Sequence, residues 1–187
     1  MSGVAILRQC PGGWLLRVAL CLCTLGLMQP AAAQHASDVS IKAAYLYNFL
    51  SYVEWPPDSL PAAGAPFVLG VAGADGVRDE LQAIVVGRKV HGHPIVIRAL
   101  GPSDPLEGLH VVFIGRDVNP ARLLERLRGR PVLVITDLGN GREPGSMLNF
   151  VPVQGRIRFE ASPTAAERSG LKLGSRLLAV AERVLTQ

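Results

Sequence analysis

Three short, unbroken apolar runs constrain this chain more than any other feature. They are Phe67–Val71, His110–Ile114 and Pro131–Thr136. Each is too short for a stable helix and apolar at both odd and even positions, as strands buried on both faces are. Asp75 is placed to cap a helix running to Val85, and Asn119-Pro120 supplies a cap and a first-turn proline for a helix ending at Leu127. The β-branched stretch Pro94–Leu100 adds a further strand. Strands alternating with helices predict a parallel sheet covered on its faces.

The flanks complete the fold class. Ser40–Val53 carries apolar residues at the helical period, and the helix is expected to stop at Glu54-Trp55-Pro56-Pro57, because proline disfavours helix in the residue before it. Met147–Val151 and Arg156–Glu160 have no helix between them and predict a hairpin. In the second strand Arg156, Arg158 and Glu160 alternate with Ile157 and Phe159, which predicts one wet face. Ser162-Pro163 opens a short helix to Ser169, and Leu173 or Ser175 begins a last helix through Leu185. The expectation is a single α/β domain: a mixed, mostly parallel sheet with helices on its faces and a C-terminal hairpin plus helices.

The first residues predict export. Arg8 and Arg17 precede an apolar core, Val18–Met28, and Ala31-Ala32-Ala33 offers small side chains at the −3 and −1 positions. Residues 1–33 therefore read as a signal peptide cleaved after Ala33, leaving 34–187 as the mature domain. The core is shorter than the roughly 20 residues a spanning helix needs. Leu20 and Leu22 precede Cys21 and Cys23 where lipidation wants a small residue, and Arg8 and Arg17 are not the adjacent pair of a twin-arginine signal. All three cysteines (Cys10, Cys21, Cys23) lie in this segment, so the rest of the chain can form no disulfide. The segment also takes two arginines, which leaves 17 basic and 15 acidic residues, too small an excess to argue for nucleic acid.

Candidate chemistry is sparse. Gly70-x-x-Gly73-x-x-Gly76 sits between a strand and a helix, where phosphate-cradling loops sit. Its spacing is not G-x-G-x-x-G, and Arg98-Ala99-Leu100 ends the next strand where a ribose-binding acid would stand. Asp75, Asp117 and Asp137 each follow a buried strand, so they would gather at the carboxyl edge of a parallel sheet. There they could meet a ligand or hard cation, or act only as cap and turn residues. His91, His93 and His110 lack a placed third or fourth zinc ligand and read as surface or loop histidines. There is no Gly-x-Ser-x-Gly elbow, no Ser-x-x-Lys and no cysteine nucleophile in the mature domain. Arg122, Arg126, Arg128 and Arg130 read as the solvated side of a helix whose buried face is Leu123, Leu124 and Leu127. No catalytic, cofactor or metal site is expected. An interaction surface remains, with Trp55, Phe150 and Glu160 as its candidates; Trp55 serves equally well as a core plug.

Four motifs in order resemble the YfiR/HmsC family. They are Lys42-Ala43-Ala44-Tyr45-Leu46-Tyr47-Asn48-Phe49 with Val53-Glu54-Trp55-Pro56; Gly87-Arg88 before the Pro94–Arg98 strand; Met147-Leu148-Asn149-Phe150-Val151 with Arg156-Ile157-Arg158-Phe159-Glu160; and Ala165-Ala166, Gly170-Leu171 and Ser175-Arg176-Leu177-Leu178. The resemblance implies a periplasmic protein that is not an enzyme. It implies repression of an inner-membrane diguanylate cyclase through the cyclase's periplasmic sensor part, and relief by an outer-membrane lipoprotein with a peptidoglycan-binding domain. Control of cyclic-di-GMP and biofilm follows, and a homodimer is suggested. Leu109 stands before His110 where the family often has cysteine, so redox sensing through disulfides does not carry over. Ser162 replaces the asparagine of the family's Phe-Glu-Ile-Asn, and serine is an equivalent N-cap. The competing expectation is a periplasmic small-ligand-binding module that uses the carboxyl edge of the sheet to feed another sensor.

Overall fold

The computed structural model describes residues 31–141 and 143–186. The signal-peptide reading thus falls almost wholly outside the described residues. Residues from Ser37 onward form one compact unit. The elements are α1 (Ala31–Phe49), β1 (Val53–Glu54), β2 (Phe67–Ala72), α2 (Asp75–Val85), β3 (Lys89–Val90), β4 (His93–Ala99), β5 (Val111–Ile114), α3 (Ala121–Leu127), β6 (Leu133–Thr136), β7 (Leu148–Val153), β8 (Arg156–Ala161), α4 (Pro163–Glu167), β9 (Lys172–Leu173), α5 (Ser175–Val180) and β10 (Arg183–Val184). A 3-10 turn spans Pro57–Ser59.

Eight strands form one sheet in the order β10-β8-β7-β6-β5-β2-β4-β3. Only β7–β8 and β3–β4 are antiparallel. The α/β class and the mostly parallel sheet are as the sequence predicts. The chain crosses from β2 to β4 in one direction and from β5 to β6 in the other, so right-handed connections put α2 and α3 on opposite faces. α1 shares the α2 face: Ser40 Oγ donates to Glu80 Oε1 at 3.1 Å, and the Arg88 guanidinium lies 4.8 Å from the Tyr47 ring centre.

Two aromatic positions paired across the hairpin, Phe150 and Phe159, turn to this face. They meet Phe49 at 6.0 and 4.8 Å and Tyr45 at 5.9 and 5.7 Å. This cluster joins α1 to the hairpin, and truncating any fully buried phenylalanine of it costs about 3–5 kcal/mol. The hairpin closes through Gln154 and Gly155, both at positive φ (49° and 73°), the backbone that a two-residue turn requires.

Four element boundaries differ from expectation. α1 ends at Phe49, not Val53, because Tyr52 turns back onto the Phe49 carbonyl and Val53–Glu54 pairs with Leu173–Lys172. The helix begins at Ala31, so Ser40 lies inside it and does not cap it. Ala74, not Asp75, is the N-cap of α2. The last helix ends at Val180, and Arg183–Val184 instead runs parallel to Glu160–Ala161. Four two-residue strands (β1, β3, β9, β10) were too short to leave a period in the sequence.

Candidate functional site

In doubly wound sheets ligands enter where the strand order reverses, outside the carboxyl ends of the central strands. Here that point lies between β2 and β5, and the protein's own backbone fills it. A Cβ on Gly115 would sit 2.1 Å from the Gly73 carbonyl oxygen, so the two loops touch main chain to main chain. Gly115 N–H donates to the Ala72 carbonyl at 2.8 Å. Gly73, at φ 61°, lies under Val118, whose Cγ1 would stand 2.8 Å from an added Cβ. The cavity remaining beside it, lined by Ala72, Leu100, Val118 and Arg122 among others, is about 30 Å³. Small-molecule sites are roughly ten times larger. The glycines of the Gly70-x-x-Gly73-x-x-Gly76 stretch serve close packing: Gly70 meets Leu109, and Gly76 faces Val39 of α1.

The three aspartates do follow neighbouring parallel strands, but they do not make one site. Asp75 is largely exposed and pairs with Arg78. Asp117 is exposed. Asp137 is buried, and both its oxygens are engaged: Lys42 Nζ lies 2.7 Å from Oδ2 and Arg116 lies 2.9 Å from Oδ1. Two cations on one carboxylate leave it no call for a metal. Among the described residues no cluster of histidines, cysteines and carboxylates is arranged to hold an ion. Lys42 was missed in the sequence reading, although a signal existed. It stands four residues before Leu46 on the stripe that Leu46, Phe49 and Leu50 bury.

Of the proposed surface trio, Trp55 and Phe150 are corrected to core positions, whereas Glu160 is largely covered yet still lines open space. Trp55 is buried, set edge-on to Phe67 at 5.0 Å with its Nε1–H donating to the His110 carbonyl at 3.3 Å. Phe150 is core. Glu160 is 8 % exposed, its carboxylate 3.1 Å from Arg183 of β10. The wet face expected of β8 is thus confined to Arg156 and, in part, Arg158. The unforeseen β10 covers the rest.

His110 is more embedded than expected, whereas His91 is exposed and His93 half-buried. His110 is buried and stacks on Phe67 at 4.5 Å, with Nδ1 accepting from Val68 N–H at 3.1 Å. Burial pushes its pKa down, and nearby His93 acts in the same direction against the Val68 contact. His91 Nε2 donates to the Leu50 carbonyl at 3.1 Å, and His93 Nδ1 to the Ala65 carbonyl at 2.9 Å. In the arginine stretch, Arg126 is structural: it donates to the carbonyls of Pro102 and Asp104.

Open space lies instead at the far end of the hairpin. Asn149 and Glu160 are paired across β7 and β8 on the parity opposite to Phe150 and Phe159. They line a groove of about 370 Å³ with Gly141, Glu143, Ser146, Met147, Arg168 and Leu185. A second section of about 310 Å³ continues it over Leu124, Leu127 and Val134, sharing Pro144, Gly145, Met147, Ala165 and Arg168. Asn149 shapes the rim. Its Oδ1 accepts from Thr136 Oγ1 (2.9 Å) and Leu138 N–H (3.0 Å), and its Nδ2 donates to the carbonyls of Gly139 (2.9 Å) and Gly141 (3.3 Å). Ser162 caps α4 by accepting from Ala165 N–H, which aims that helix, and exposed Arg168 after it, at the groove. The arrangement offers an apolar floor, carboxylates and a cation, which are the elements of a docking surface.

Apart from Leu185, the residues named in this groove fall within one family description. The YfiR/HmsC-like family model matches residues 39–182, and the chain belongs to that family.

Proposed function

We propose that this protein is a periplasmic repressor that holds down an inner-membrane diguanylate cyclase by binding the cyclase's periplasmic sensor part. Membership of the YfiR/HmsC-like family points to regulation of cyclic-di-GMP signalling, not to catalysis. The observation that carries the docking reading is the groove at the end of β7 and β8: two family-motif residues, Asn149 and Glu160, line it with Arg168. Release by an outer-membrane lipoprotein with a peptidoglycan-binding domain, and action as a homodimer, belong to the same proposal. The rival ligand-binding reading relied on the carboxyl edge of the sheet; backbone fills that edge between β2 and β5, and the pocket of about 340 Å³ beside Asp137 presents a carboxylate already paired with Lys42 and Arg116.

The test is Glu160→Lys in the chromosome, read beside a deletion strain. Reversing a charge at an interface can cost several kcal/mol of binding. The variant is expected to match the deletion, with raised cyclic-di-GMP and more biofilm. Because Glu160 also pairs with Arg183, the purified variant's melting curve accompanies the phenotype. A folded, normally abundant variant that represses fully removes Glu160 from the interface. A deletion that changes neither cyclic-di-GMP nor biofilm overturns the function.

A further inference from the structure

The edge of the sheet opposite β10 is the outer side of β4. β3 covers only its first two residues, through the pairs Lys89–Pro94 and Val90–His93. Gly87, at φ 68°, then turns the chain away into α2, and no strand among the described residues pairs with Ile95–Ala99 on that side. Five consecutive residues therefore present an unpaired edge, with Val96 44 % exposed on one face. On the other face a groove of about 350 Å³ runs beside Ile95 and Ile97, lined also by Gln82, Val85, Val86, Arg88 and Lys89. Val86 is 78 % exposed beside it. Its lining includes two cations and no carboxylate. Arg88 rests on the Tyr47 ring, and neither Arg88 nor Lys89 faces an acid in this groove.

We propose that this edge accepts an extended acidic segment of a partner protein as an added strand. Backbone pairing to Ile95–Ala99 gives the affinity. Aliphatic side chains of the guest enter the groove over Val85, Val86 and Ile97, and its carboxylates meet Arg88 and Lys89. A second copy of this chain fits poorly. Antiparallel pairing of two β4 edges sets the Lys89 end of each beside the Arg98 end of the other, cation against cation. Pro94 and the basic rim thus guard the edge against self-pairing while leaving it open to an acidic strand.

An N-acetylated, C-amidated hexapeptide alternating valine and glutamate is the probe, with its valine–lysine counterpart as control. Both are titrated into the ¹⁵N-labelled purified protein. The acidic peptide is expected to shift and slow the exchange of amides within Ile95–Ala99, and the basic one to leave them unchanged. The double variant Arg88→Glu, Lys89→Glu is expected to weaken the acidic peptide at least tenfold and to admit the basic one. Both side chains are at the surface, and a melting curve verifies that the variant is folded. Three results overturn the proposal: no effect of the acidic peptide on Ile95–Ala99, equal effects of both peptides, or protection of the same amides by self-association of the unliganded protein.

Discussion

Two regions of this sheet are built in opposite ways. Between β2 and β5 the loops close main chain on main chain, with Gly115 against Gly73 and Val118 above, and about 30 Å³ remains beside them. At the start of β7 and the end of β8 the loop after Asp137 is tied to the Asn149 carboxamide and the groove stays open at about 370 Å³. The first region has the topology of a ligand crevice but lacks the space for one. The second lies outside the parallel core, at an antiparallel hairpin, and has the space. Topology alone points to the closed region, and the space left by side chains and backbone points to the open one.

The largest expected effect breaks the closed region. Gly115→Ala drives a methyl group into the Gly73 carbonyl, where only backbone movement relieves the contact. A loss of about 3 kcal/mol or more is expected, at the upper end of overpacking costs, measured by urea denaturation. A stability within about 0.5 kcal/mol of the parent would show that the crevice can open.

The open region breaks at Asn149. Asn149→Asp is nearly the same size but replaces an N–H₂ donor with an acceptor facing the Gly139 and Gly141 carbonyls, at a buried position. About 2 kcal/mol of destabilisation is expected from the lost bonds and the opposed oxygens. Amide exchange is expected to rise in residues 138–141 while the β2–β5 loops stay protected. Uniform loosening of both regions would show that they are not independent.

His110 sharpens the comparison from the amino side of the same strands. Its folded pKa is depressed, first by burial, so the unfolded chain takes up a proton more readily. Stability is therefore full above the ordinary histidine pKa of about 6.5 and falls as pH drops from there toward the lower folded value. Asn at this position keeps an acceptor for Val68 N–H and cannot titrate. The Tm difference between pH 7.5 and 5.5 is expected to shrink by a few degrees in His110→Asn. An unchanged difference would assign the pH dependence to other groups.

The parallel core was legible because a strand buried on both faces writes itself as an unbroken apolar run, as Val111–Ile114 and Leu133–Thr136 do. The hairpin was legible from its alternation. What stayed hidden depends on contacts far apart in sequence. β10 exists because Glu182 and Leu185 donate to the carbonyls of Phe159 and Ala161, and two residues carry no period. That strand is also why Glu160, polar by pattern, is buried. The Asp137 carboxylate looked available because nothing local announces Lys42, 95 residues earlier, as its partner. Trp55 and Phe150 were the reverse case: large aromatics suited to a surface or a core, settled for Trp55 by Phe67 and His110 and for Phe150 by Tyr45 and Phe49 of α1.

Under the proposed function, the open end and not the closed one is where the protein meets its target. Arg168→Glu tests it most directly, because the side chain is exposed, lines both sections of the groove and lies outside the core. Its cost in stability is expected to stay within about 0.5 kcal/mol. Cellular cyclic-di-GMP is measured in this variant, in the deletion strain and in Arg156→Glu, an exposed reversal at the opposite end of β8. The account predicts that Arg168→Glu rises to the deletion level while Arg156→Glu stays at the parental one. Equal, parental levels in both variants, with the deletion raised, would contradict it.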